Sequence, residues 1–248
     1  MVIVFAALFG LAIGSFLNVV VFRTHADIPL TGRSKCLICE QPISWFDLVP
    51  VLSFFLLRGR CRRCKGAINW QYPLVEVATT LLVVLIAWQT WPDVSLLLRD
   101  VILGIFLIII FVYDLKYGYI LDRFTVPGMI LAVVFNFALG IVSVESMALG
   151  AFVVGGFFAL QYFVSKGKWI GGGDIRLGVM MGLILGLWPG VLALFIGYVL
   201  GAVVAVGLLV RGRTLKSAVP FGTFLTVGTV AAMLWGEKII DWYLWYFL

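Results

Sequence analysis

Charge is what this chain has least of: Lys, Arg, Asp and Glu make up 12% of its 248 residues, against about 25% in an ordinary soluble domain. Hydrophobic residues reach 63%, too large a share to hide in one buried core. Period-two alternation is also missing. Unbroken apolar runs recur instead, and a helix needs roughly 20 such residues to cross about 30 Å of hydrocarbon. Because lipid cannot satisfy a free backbone amide, spanning elements are helices or closed barrels, and runs of this kind exclude the barrel. No basic region precedes the first run, Met1 to Phe22, and no small-residue cleavage site follows it, so a retained first helix is expected rather than a removed signal peptide. No glycine-rich nucleotide fingerprint follows a predicted strand, which excludes a Rossmann-type cofactor domain. His25 is the only histidine, and solvation is its expected state.

What is present reads as an all-α, polytopic membrane bundle of about eight helices. Spans are expected near 2–22, 73–90, 94–113, 124–142, 147–165, 175–188, 190–210 and 218–235. With the N-terminus outside, the first hydrophilic loop lies in the cytoplasm, together with Lys116, Arg123, Lys166, Lys168, Arg176, Arg211, Arg213 and Lys216. All of the 18 Lys and Arg residues except Arg99 and Lys238 then fall inside, as the positive-inside rule requires. Topology thus accounts for the net charge of +6 without an acidic or nucleic-acid partner. The division expected is a first helix (1–22), a cytoplasmic loop (23–72) and a membrane core (73–248).

The stretch Ile175 to Val210 would be about 54 Å long as one helix. It is expected to break at Trp188-Pro189-Gly190, leaving a first half that is short for a crossing. A short, interrupted segment after a glycine run marks backbone that dips around a binding site. The aromatic end, Asp241 to Phe247, suits anchoring at the outer interface.

All four cysteines lie in the first loop, as Cys36-Leu-Ile-Cys39 and Cys61-Arg-Arg-Cys64. Two CxxC turns at this spacing supply four thiolates for a tetrahedral zinc ion, and four protein ligands leave no position open for catalysis. A structural zinc is therefore expected; disulfides or a redox pair are the competing reading, disfavoured in a reducing compartment. Arg58, Arg60, Arg62, Arg63 and Lys65 nearby suit either anionic lipid or plain solvation.

Two carboxylates stand out. Asp114 follows the apolar run Gly104 to Tyr113, and Asp174 follows Ile170-Gly171-Gly172-Gly173, both at expected cytoplasmic helix ends. A carboxylate deep in hydrocarbon costs roughly 2.5–3.5 kcal/mol on insertion scales, so it needs a task or a partner. Facing each other across a water, two such groups share one proton, one acting as base on the water and the other as acid to a scissile carbonyl. The glycines before Asp174 would give backbone freedom and let a substrate strand approach. The bland alternatives are an ion pair of Asp114 with Lys116 and a helix-capping role for Asp174. Asp122 is a rival first aspartate, better suited to capping or ion pairing.

These motifs together, with Gly14-Ser15-Phe16-Leu17-Asn18-Val19-Val20, Trp45, Leu57-Arg58-Gly59-Arg60-Cys61, Tyr72-Pro73-Leu74-Val75-Glu76 and Pro220-Phe221-Gly222, closely resemble the bacterial type IV prepilin peptidases. The resemblance covers nearly the whole chain. It implies an intramembrane aspartyl protease of the bacterial inner membrane, with Asp114 and Asp174 as catalytic residues. Its substrates would be prepilins or pseudopilins, including those of type II secretion, whose basic leader is cut after a glycine on the cytoplasmic side. It further implies methylation of the new N-terminus with S-adenosylmethionine, an activity associated with the zinc loop. Ile120-Leu121-Asp122 departs from the family's usual Ile-Pro-Asp. Asn18, Glu40, Asp47, Asn69 and Glu76 are candidate contacts for substrate or methyl donor, and equally for loop backbone.

Two readings of other classes compete. A proton- or cation-coupled transporter could use Asp114 and Asp174, and a non-enzymatic assembly factor could dock partners through the loop. The first leaves the cysteines unexplained, the second the Gly-Gly-Gly-Asp arrangement.

Overall fold

In a computed structural model, residues 1–211 and 220–247 are described. Arg213, Lys216 and the beginning of the last expected span fall outside them. Nine α-helices are present among the described residues: α1 (Val2–His25), α2 (Leu52–Leu56), α3 (Gln71–Thr90), α4 (Val94–Tyr117), α5 (Asp122–Leu139), α6 (Val144–Ser165), α7 (Gly172–Leu185), α8 (Leu187–Val210) and α9 (Phe221–Phe247). No strand longer than an isolated bridge occurs among these residues. Seven helices, all but α2 and α7, are long and apolar enough to cross a membrane. The chain divides into two compact units, Met1–Leu97 and Leu98–Leu248.

In the first unit α1 and α3 pack as an antiparallel pair. A Cβ on Gly10 would lie 2.7 Å from Thr80 Cα, and one on Gly14 would lie 2.7 Å from Glu76 Cα. Glycines four residues apart thus let two backbones touch, which is how membrane helices gain packing when lipid removes the hydrophobic drive. Asn18, one turn further along α1, donates from Nδ2 to the Tyr72 carbonyl at 3.1 Å. The loop between the helices is closed at its start by buried Arg23, whose guanidinium donates to the carbonyls of Pro29, Thr31, Gly32 and Arg33.

In the second unit α7 is the short element the sequence suggested. Its 14 residues extend about 21 Å, less than the hydrocarbon thickness. The break comes at Gly186, where φ is +77°, rather than at Trp188-Pro189-Gly190; Pro189 fits the first turn of α8, where a missing N–H costs no helix bond. Because α7 ends so early, its last carbonyls need donors inside the protein. Arg99 donates from Nη2 to Ile184 O at 2.6 Å, and Asn136 donates to Leu183 O at 2.8 Å. Arg99 is in turn paired with Asp100 at 2.8 Å, all three side chains being buried. This explains the arginine that stood apart in the charge count: it caps a helix end. Helix α6 runs antiparallel to α7, with Gly150 and Gly182 in backbone contact. Helix α9 continues well past the expected end of its span, carrying the aromatic segment as helix.

Candidate functional site

Asp114 lies three residues before the end of α4, which stops because Gly118 takes φ +76° and its amide returns to Asp114 O at 2.7 Å. Its carboxylate is 4% exposed and its Oδ2 accepts from the Thr223 amide at 2.9 Å. Thr223 belongs to the first turn of α9, whose amides have no partners within the helix and suit an anion. The ion pair with Lys116 does not form; the Lys116 ammonium lies over the Tyr117 ring, 5.2 Å from its centroid.

Asp174 lies in the first turn of α7, three residues past the N-cap Gly171, because α7 begins at Gly172 and not at Ile175. Its Oδ2 accepts from the Gly171 amide at 2.9 Å, the reach-back bond of a helix N-terminus. A capping bond is therefore present, and it uses one oxygen of a side chain that is 8% exposed. Both carboxylates open on one cavity of about 860 Å³, lined also by Tyr119, Gln161, Tyr198, Phe221 and the residues from Trp169 to Gly173. The sequence placed these two residues at one depth; the fold brings them to one cavity.

The backbone freedom expected of these glycines is not used. None of Gly171, Gly172 and Gly173 has positive φ. Space is what Gly173 provides: a Cβ there would lie 2.9 Å from Ile120 Cβ. Gly222 is confined in the same way, 2.7 Å from Ile120 Cδ1 and 2.9 Å from Asp114 Oδ2. Ile120 is thus wedged between the Gly-Gly-Gly-Asp and Pro-Phe-Gly segments, so that both glycines give room to one side chain. The rival Asp122 is half-exposed and pairs with Arg176, not with Arg123, and it is absent from the cavity lining.

Gln161 and Tyr198 were not foreseen. They bond to each other across α6 and α8, Nε2 to Oη at 2.9 Å and Oη to Oε1 at 3.1 Å, and both face the cavity of the two aspartates. A glutamine within the apolar run of α6 was the available signal.

In the first unit the four cysteine sulfurs lie within 4.8 Å of one another, and none is in a disulfide. Cys36 and Cys64 sulfurs are 3.8 Å apart, matching the edge of about 3.8 Å that a tetrahedron with 2.3 Å bonds requires. The two turns are copies of one local fold. Glu40 N bonds to Cys36 O and Cys36 N to Gln41 O; Lys65 N bonds to Cys61 O and Cys61 N to Gly66 O. Glu40 and Lys65 both take positive φ, +55° and +60°. Amides of Cys39 and Ile38 bring the Cys36 thiol down to about 7. Cys64, despite the Gly66 amide, is pushed up to about 11 by desolvation and by the neighbouring thiols. The cluster is thus arranged for a soft divalent cation. A second cavity, of about 900 Å³, lies between this loop and the ends of α1 and α3, with Asn18, Asp47, Tyr72 and Glu76 in its lining. Glu76 accepts from the Val51 amide at 2.7 Å, and Asp47 pairs with Arg62.

Comparisons with known proteins agree with these two units. The family described as "Bacterial Peptidase A24 N-terminal domain" matches residues 8–90, and the "Type IV leader peptidase family" matches residues 101–206. The chain is 34% identical to a "Prepilin leader peptidase/N-methyltransferase" of Pseudomonas putida, with 96% of this chain and 92% of that one covered. It is 33% identical to the protein of that name in Aeromonas hydrophila (97% and 93% covered) and 28% identical to the one in Bacillus subtilis (96% and 96%). No solved structure matches. The chain belongs to the type IV leader peptidase family and is a multi-pass membrane peptidase.

Proposed function

We propose that the protein is an aspartyl endopeptidase that removes the basic leader of type IV prepilins or pseudopilins after a glycine, on the cytoplasmic side of the bacterial inner membrane. The observation that carries this reading is the shared cavity of Asp114 and Asp174, each held by an amide at a helix N-terminus. One carboxylate, ionised, takes a proton from a water; the other, protonated, gives one to the scissile carbonyl oxygen, and the roles belong to the pair. The transport reading would leave Gln161 and Tyr198 beside the aspartates without a purpose, whereas an extended peptide needs such hydrogen-bonding groups.

The thiolate cluster supports a structural zinc held by Cys36, Cys39, Cys61 and Cys64. The names of the relatives support a second activity, N-methylation of the new N-terminus. S-adenosylmethionine would supply the methyl group, and the cavity beneath the zinc loop has room for it; the Glu76 carboxylate in its lining suits a cationic group of that cofactor.

The test is cleavage of a prepilin by the purified enzyme and by Asp114→Asn and Asp174→Asn. Both variants should fold and lose activity by about 10²–10⁴-fold. Full cleavage by either would remove that residue from catalysis. Mass spectrometry of the product's N-terminus reads methylation in the same experiment.

A further inference from the structure

The segment from Trp45 to Leu56 does not behave like a solvated loop. Trp45 is 78% exposed, Leu56 73% and Trp70 60%, and Leu52, Phe55 and Leu74 are exposed with them. These side chains are not scattered. Trp45 meets Phe46 edge-on at 5.7 Å; Phe55 meets Trp70 at 6.3 Å, and Phe54 lies beneath both. Trp70 immediately precedes α3, a helix long and apolar enough to span, and Leu74 lies in its first turn. The rings of Phe54, Phe55 and Trp70 thus join the loop to the start of α3. Beside them stand Arg58, Arg60, Arg62 and Lys65, all exposed. Among the described residues only Arg62 of these has a carboxylate partner, Asp47, and its guanidinium also covers the Phe46 ring.

An exposed aromatic and aliphatic patch with a basic margin, continuous with a membrane-entry point, has the chemistry of the bilayer interface. Aromatic rings favour the headgroup level, apolar faces enter the acyl boundary, and cations attract anionic lipid. We propose that residues 45–56, with Trp70 and Leu74, form a monotopic foot that inserts into an anionic membrane surface and holds the cysteine module against it. The foot fixes the height of the module over the bilayer, adding lipid contact to the hydrogen bonds of Arg23 and Glu76 that tie the loop to α1 and α3. This assignment is independent of the peptidase reading, since it concerns lipid contact alone.

The full-length protein, reconstituted in nanodiscs of phosphatidylcholine with a minority of phosphatidylglycerol, would carry the photo-crosslinking residue p-benzoylphenylalanine in place of Phe55 or, as a control, of Glu40 in the first cysteine turn. Mass spectrometry of the illuminated protein should find lipid adducts at position 55 and not at position 40. Phosphatidylglycerol should be enriched among the adducts over its bulk share by about twofold or more, and Arg58→Glu with Arg60→Glu should abolish that enrichment while adducts persist. Equal labelling at both positions, absence of lipid adducts at 55, or crosslinks to a second copy of the chain would each overturn the proposal, the last making the patch a protein interface.

Discussion

The main-chain amide of Thr223 donates to Oδ2 of Asp114 across 2.9 Å, and this bond joins the end of α4 to the beginning of α9. A carboxylate held by backbone is sensitive to anything that moves the α9 terminus. Gly222 is that point. Gly222→Ala would press a Cβ against Asp114 Oδ2 and Ile120 Cδ1, and cleavage should fall by at least tenfold in a prepilin assay. Adding Ile120→Val removes the Cδ1 contact and should restore part of the loss, which a general folding defect would not allow.

At the other end of the bundle, Arg99→Leu would leave Asp100 buried without its cation and Ile184 O with only the longer bond from Asn136 Nδ2 at 3.2 Å. Breaking one side of a buried pair costs about 3–5 kcal/mol, so thermal unfolding in detergent should shift down strongly. The double variant Arg99→Leu, Asp100→Leu should lose less than the single one, because no lone charge remains. An equal or larger loss in the double variant would show that the pair itself, and not the stranded charge, holds α7 in place.

The α1–α3 contact offers a prediction independent of activity. Gly14→Leu places a large side chain where a Cβ alone is already 2.7 Å from Glu76 Cα. Overpacking of this kind costs about 1–3 kcal/mol or more, and the two helices must separate. Loss of the Asn18 bond to Tyr72 O would accompany it, read as faster proteolysis of the loop between residues 25 and 70.

Removing the metal is the fourth test. Elemental analysis should find about one zinc per chain, and Cys61→Ser should lower it sharply. A strong chelator should expose the loop to protease while the helical signal in circular dichroism stays nearly unchanged, since the membrane helices do not depend on it. Binding should weaken as pH falls. Protons compete for thiolates, and Cys64, raised to about 11 without metal, must release its proton on binding even at neutral pH.

The pair Gln161 and Tyr198 supplies the last prediction. Tyr198→Phe removes both hydrogen bonds between them, and if the pair holds substrate backbone, KM for a prepilin should rise severalfold with kcat less changed. A fall in kcat alone would place Tyr198 with the proton-transfer groups instead.

Much of this protein was written in composition and spacing. Apolar runs decide for membrane helices because a backbone in hydrocarbon has no other way to satisfy its amides, and two CxxC turns carry their local geometry with them, which is why the cysteine cluster could be read before any fold. Asp114 and Asp174 were legible as carboxylates out of place. What remained hidden was contact. Sequence offered backbone freedom as the reason for Gly173, and only packing revealed Ile120 as the neighbour that demands it. Arg99 was an exception in a charge count until Ile184 O gave it a partner 85 positions away. Local sequence fixes periodicity, caps and turns, since these depend on neighbours along the chain. The shared cavity, the helix-end donors and the ring-paired patch at Trp70 depend on which helices meet, and that is settled by close packing of side chains across the whole unit.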